Sequence, residues 1–175
     1  MKKFAVMLFA GVAALVLGAA EMDVNGAFAV KPGAALPTGW IINNGPKSVG
    51  THELVQKDGR NAVKINAEKS MYGLAYNKRF LVKPGEKYQL SVDADGKNVV
   101  VNVGMFLYHG ELPKYVYLKG NYDKAVKIQA AQNVSRVITI PEEINGKVPT
   151  LMGVTCYVLA PGEVTFSNFK LEKLD

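Results

Sequence analysis

The chain has 175 residues, 49% hydrophobic and 21% charged, with a formal net charge of +6 and one cysteine. That length suits one ordinary domain with its own core, and the lone Cys156 excludes an intramolecular disulfide. Basic residues are interspersed with acids rather than gathered into a run, so no nucleic-acid partner is expected.

In chain order, Lys2 and Lys3 precede an uncharged apolar stretch over residues 4–17, and Gly18-Ala19-Ala20 supplies small residues for a cleavage site. This is the pattern of a bacterial secretory signal, residues 1–20, cut after Ala20. It predicts a secreted or periplasmic protein with a single domain over residues 21–175. The apolar stretch falls short of the roughly 20 residues that span a bilayer, so no stable membrane insertion is expected.

Beyond it, nearly every segment has strand or turn character. Residues 25–30 predict a short first strand, and a loop K-P-G-A-A-L-P-T-G leads to Trp40, Ile41 and Ile42. Residues 51–56 and 62–66 flank Asp58-Gly59, the signature of a tight hairpin. Over residues 74–82, Leu74, Tyr76, Phe80 and Val82 share a face that Lys78 interrupts, which marks a partly exposed strand or an edge. Pro84-Gly85 fits a type II turn. Tyr88, Leu90 and Val92 then alternate with polar neighbours, as in a strand with one face buried. Asp95-Gly96 predicts a central antiparallel hairpin returning through residues 99–107.

Past that hairpin, residues 115–118, 125–130 and 136–140 read as short strands, with room for a helical turn or two within residues 123–132. Residues 141–149 form a loop, and residues 150–159 and 164–171 predict a last hairpin across Pro161-Gly162. No sustained helical period occurs. Many short strands between turn signals predict an all-β protein, an antiparallel β-sandwich or barrel. Cys156 shares a face with Val154 and Val158, which makes it a buried, inert thiol.

Three stretches, in order, resemble the carbohydrate-binding modules of families 4 and 9, within the galactose-binding-like jelly rolls. They are N-G-A-F at residues 25–28 with L-P-T-G-W at residues 36–40, then V-K-P-G at residues 82–85 running on to Tyr88, Leu90 and Ser91, and last G-E-V-T-F-S-N-F-K-L at residues 162–171. The resemblance implies a jelly-roll sandwich that binds carbohydrate, with Trp40 packed at its edge as a structural residue. It also implies a structural calcium ion held near the first and last motifs. Here the acidic positions are Ala27, Ala29 and Ser167, and calcium prefers several hard oxygen ligands, usually carboxylates. Without those three carboxylates the ion, and with it any cofactor, is expected to be absent.

A sugar site needs flat apolar rings beside hydrogen-bonding groups. The strand over residues 99–108 puts Val99, Val101, Val103, Met105 and Leu107 on a core face, and Val100, Asn102, Gly104, Phe106 and Tyr108 on a mixed one. That mixed face predicts an open groove, with Tyr115, Tyr117 and Tyr122 following it. Tyr72 and Tyr76 form a second aromatic group. The candidate ligand-binding residues are Tyr108, Tyr115, Tyr117, Tyr76, Asn102 and Arg79, the last for acidic sugars.

His52 and His109 have no second histidine or cysteine at metal-ligand spacing, so no metal site is expected. No nucleophile elbow, phosphate loop or dinucleotide fingerprint occurs. Glu53, Glu142 and Glu143 read as solvated charge rather than a glycosidase pair. The Asp93-Ala94-Asp95-Gly96 run lacks the later ligands of a calcium loop. The sequence therefore predicts an exported module that binds a polysaccharide or oligosaccharide without being an enzyme. The alternative is a structural or adhesive domain that contacts a cell-surface protein partner through the same sandwich.

Overall fold

The computed structural model describes residues 19–120 and 125–175. The expected secretory signal over residues 1–20 therefore lies almost wholly outside the described residues, as does Tyr122. Two antiparallel sheets face each other, and the described residues contain no helix. The first sheet runs β11 (Gln132–Thr139), β7 (Lys87–Gly96), β13 (Gly162–Leu174), β4 (Arg60–Lys69) and β3 (Val49–Lys57), with the short β1 (Ala20–Glu21) beside β13. The second runs β10 (Val126–Ile128), β8 (Val99–Glu111), β12 (Leu151–Leu159), β5 (Met71–Tyr76) and β2 (Trp40–Asn44). In that sheet β6 (Phe80–Leu81) also pairs β12, and β9 (Lys114–Gly120) pairs β8. This is the predicted all-β sandwich.

Two-residue alternation decides which side chains enter the core. Val63, Ile65, Leu90, Val92, Phe166 and Leu171 point inward from the six-stranded sheet. Leu74, Val101, Val103, Met105, Val154 and Cys156 meet them from the seven-stranded one. Cys156 is fully buried, and burial pushes its thiol well above the usual range. The Asp58-Gly59 hairpin forms as predicted: both residues have positive φ (50° and 72°), and Lys57 pairs with Arg60.

Two predicted hairpins are instead crossings between the sheets. β7 pairs with β11 and β13, whereas β8 pairs with β12, β9 and β10, so Asp95-Gly96 carries the chain from one layer to the other. Pro161-Gly162 does the same between β12 and β13. A turn reverses the chain but does not oblige the flanking strands to bond to each other. When both strands have an apolar face, stacking those faces across the core buries both. The strand expected over residues 74–82 is likewise two strands, with a break at residues 77–79. There Arg79 turns back and its Nη1 donates to the carbonyl oxygens of Tyr76 (3.0 Å) and Asn77 (3.3 Å). Residues 123–132 contain the strand β10 rather than helical turns among those described.

Residues 25–30 are turns rather than a strand, with Asn25 and Phe28 at φ of 46° and 52°. Here the Asn25 carboxamide donates to the carbonyls of Ala29 (2.9 Å) and Thr38 (2.8 Å) and accepts from the Ala29 amide (2.9 Å). Phe169 donates its amide to the Gly26 carbonyl (3.0 Å), and the backbones approach so closely that a Cβ at Gly26 would overlap the Phe169 carbonyl. On the closing strand, Asn168 donates to Asp93 Oδ2 (3.1 Å), and Asn133 donates to Asp93 Oδ1 (2.8 Å). These residues do not fit a calcium ion, because both nearby carboxylates, Asp23 and Asp93, and the Gly26, Ala29 and Thr38 carbonyls already accept amide donors.

Candidate functional site

The candidate residues divide among three places. Tyr76 lies in the core beside Trp40, with ring centroids 5.5 Å apart, and stacks on Phe80 at 6.2 Å. Trp40 is 3% exposed and donates its indole N–H to the Val24 carbonyl (3.0 Å), the structural role its motif implied. Asn102 faces outward from β8 but is 1% exposed; its side chain bonds to Tyr157, which sits opposite it in register on β12. The middle of this outer face is therefore closed rather than an open groove. Thr155 and Ala75 are buried there as well, and the Thr155 hydroxyl is tied to Asn43 (2.9 Å) and the Leu74 carbonyl (2.7 Å). Burial pushes the Tyr157 phenol up to about 12, against the lowering influence of Arg136's charge and the Asn102 bond.

The other four candidates come together at one end of the same face. β8 and β9 form a hairpin that sets Tyr108 opposite Tyr117 and Gly110 opposite Tyr115. Tyr108 meets Tyr115 edge-to-face at 5.1 Å and Tyr117 at 5.9 Å, and Phe106 adds a contact to Tyr117 at 6.1 Å. Edge-to-face packing places the positive rim of one ring on the negative face of another and fixes ring directions. Arg79 lies across Tyr108 with its guanidinium carbon 4.9 Å from the ring centroid. It reaches there because Gly153 has no side chain; a Cβ at that position would sit 3.1 Å from the guanidinium. Tyr108 is buried beneath this arrangement, whereas Tyr115 and Tyr117 are 38% and 55% exposed. Burial raises the Tyr108 phenol above its usual value, while the Arg79 charge pulls the other way. The result is one braced ring carrying two displayed ones.

The wall behind this hairpin was not anticipated. Thr150 accepts from the Gly110 amide (3.0 Å) and donates to the Gly110 carbonyl (2.6 Å). His109 Nδ1 lies 2.8 Å from the Val148 carbonyl, an acceptor only, so Nδ1 carries the proton. These bonds hold the 145–150 loop against the hairpin around a cavity of about 420 Å³ lined by His109, Gly110, Lys114, Tyr115, Val116 and Lys147. On the sandwich edge, a second cavity of about 630 Å³ is lined by Leu107, Leu118, Ile138, Pro141 and Ile144, among others. Sequence spacing offered one clue to the wall: a glycine between His109 and Glu111 inside a long strand, where a close backbone approach is the usual reason. Gly110 has φ of 120°, and a Cβ there would lie 2.6 Å from the Lys114 carbonyl.

Known structures share this two-layer antiparallel sandwich, carbohydrate-binding modules and enzymes among them. A family 4 module overlays with a TM-score of 0.52 at 15% identity, covering 85% of this chain and 97% of that one. A Clostridium thermocellum xylanase 10B, comprising a family 22 module and a catalytic module complexed with xylohexaose, overlays at TM-score 0.57 and 12% identity. That match covers 91% of this chain and 28% of the xylanase chain. A cyclase from Fischerella sp. TAU overlays at TM-score 0.59 and 15% identity, covering 89% of this chain and 98% of the cyclase. No protein-family model matches the chain, and no curated protein matches it in sequence.

The cyclase likeness corrects the expectation that this chain is not an enzyme. That expectation rested on missing motifs and on the resemblance to carbohydrate-binding modules. In Fischerella nearly the whole of a cyclase chain is this same sandwich, so neither argument separates module from catalyst.

Proposed function

We propose that the chain binds a carbohydrate through the aromatic cluster at the end of its seven-stranded sheet. Tyr117 and Tyr115 are the platform for sugar rings, Tyr108 is the support beneath them, and Arg79 is the donor that holds Tyr108 in place and faces ligand hydroxyls or acids. The observation that carries this reading is the pairing of two exposed tyrosines with one buried tyrosine in fixed edge-to-face contact. Exposed rings held in place bind without a further ordering cost, which is the advantage of a pre-formed site. The family 4 and family 22 modules among its structural neighbours support the ligand class. The leader-like residues 1–20 support export, and N-terminal sequencing of the secreted protein tests it, with Glu21 as the expected first residue.

Affinity electrophoresis against a panel of immobilised plant and bacterial polysaccharides tests the binding. Retardation by at least one glycan, lost in Tyr117→Ala and weakened in Tyr115→Ala, is the expected result. Retardation by none, or retardation unchanged in both variants, ends the proposal. Assay of the same mixtures for newly released reducing ends asks whether binding is accompanied by bond cleavage.

A further inference from the structure

The three ion pairs among the described residues are Lys57–Asp95, Lys64–Glu163 and Lys173–Glu86, and all belong to strands of the six-stranded sheet or the turn entering β7. At the aromatic end of the other sheet, Lys78, Arg79, Lys114, Lys119 and Lys147 form no ion pair among the described residues. Glu111 stands opposite Lys114 in the hairpin register, yet no ion pair joins them. The 420 Å³ cavity beside Tyr115 is lined by Lys114, Lys147 and His109 and by no carboxylate. Its walls are fixed by the two Thr150–Gly110 bonds and the His109–Val148 bond. The turn that presents Lys147 is fixed as well: Asn145 and Gly146 have φ of 51° and 72°, and Ile144 and Lys147 exchange backbone hydrogen bonds. With Nδ1 committed to Val148, His109 has Nε2 as its remaining polar atom.

A shallow, open depression lined by one imidazole and by two ammonium groups that no carboxylate pairs suits an anion held at the edge of an aromatic platform. We propose that the glycan is anionic, and that its carboxylate or sulfate ester group seats between Lys114 and Lys147 while a neighbouring sugar ring packs on Tyr115 and Tyr117. This rests on the carbohydrate reading above and adds the charge class of the ligand. Neutral xylans or glucans offer these lysines only hydroxyl acceptors, so they bind more weakly than an acidic polymer.

Titration calorimetry of the mature protein with oligomers of galacturonate, a sulfated galactan, neutral xylohexaose and single-stranded DNA separates the possibilities. The expected result is binding to one of the two acidic glycans, which identifies carboxylate or sulfate as the group recognised. Affinity should fall about tenfold or more as salt rises from about 20 mM to about 500 mM, because exposed charges are screened. Lys114→Gln with Lys147→Gln should weaken it about tenfold or more, since two charge contacts are lost. Preference for xylohexaose, indifferent to the lysine variant, overturns the inference while leaving the carbohydrate reading intact. Binding to no glycan overturns both. Equal binding to DNA, unaffected by Tyr117→Ala, marks plain ion exchange and also overturns it, as does acidic-glycan binding that survives the double variant.

Discussion

Two aromatic groups among the described residues, one around Trp40 and one around Tyr108, are used in opposite ways. Around Trp40, the rings of Phe28, Phe169 and Tyr76 pack at 5.2, 5.0 and 5.5 Å, the indole N–H is bonded to Val24, and little ring surface reaches water. Around Tyr108 the contact distances are similar, but two of the three tyrosines stay exposed. The difference lies in what surrounds the rings. The first group is enclosed between the N-terminal turns and the bulged closing strand. The second stands on a hairpin at the margin of its sheet, where no further strand covers it. Aromatic content alone does not distinguish them; position at the edge of the layer does.

Substitutions that remove one ring at a time break this comparison into separate measurements. Trp40→Ala should have the largest effect, about 3–5 kcal/mol lost in urea unfolding, because it empties a closed site and frees the Val24 carbonyl. Tyr108→Ala should cost about 1–3 kcal/mol and also abolish glycan binding, since the ring is buried yet carries the displayed pair. Asn25→Ala, which loosens the enclosure of the first group, should cost about 1–2 kcal/mol from its lost hydrogen bonds. Wild-type melting should be indifferent to a chelator, whereas a fall in melting temperature with chelator would reveal an ion at that clasp. Tyr117→Ala should change unfolding free energy by no more than about 0.5 kcal/mol while removing binding, the reverse of the Trp40 outcome.

The smallest effect concerns acid on the six-stranded side. Burial alone would raise the Glu86 carboxyl, but hydrogen bonds from Lys173, Tyr88 and the Lys83 amide, with the Lys173 charge, hold it below the usual carboxylate range. A depressed folded-state value means the stabilisation is present above the ordinary carboxylate value of about 4.3 and is lost as pH falls through the lower folded one. Glu86→Gln should therefore flatten the acid limb of stability below about pH 4 and leave glycan binding unaltered. A change in binding would show that the two faces are coupled.

Face assignment was legible in the sequence because alternation is a local property. Tyr88, Leu90 and Val92 on β7 and the odd-numbered residues from Val99 to Leu107 on β8 point inward as their spacing implied. Partner choice was not legible. The Asp58-Gly59 and Asp95-Gly96 turns have the same signature, yet only the first joins paired strands. Which strand bonds to which depends on how distant apolar faces stack. The site was legible to the same extent. Tyr108, Tyr115 and Tyr117 meet because they flank one hairpin, a short-range arrangement. The loop of Lys147, Val148 and Thr150 reaches the same hairpin from nearly forty residues away in sequence, through bonds that no local pattern announces.

β13, the thirteenth strand in order, sits between β7 and β4, in the middle of its sheet. Without residues 162–174 the remaining strands of this sheet, β3 with β4 and β7 with β11, have no partner to join them, and their inner edges present unbonded amides and carbonyls. Assembly is therefore a late event in which one segment is inserted between two others. Pairings this far apart along the backbone are the slow kind, on a scale of about milliseconds to seconds. Until that insertion, both inner margins are open to any extended peptide nearby, so a polypeptide truncated before Gly162 should aggregate more readily than the full chain.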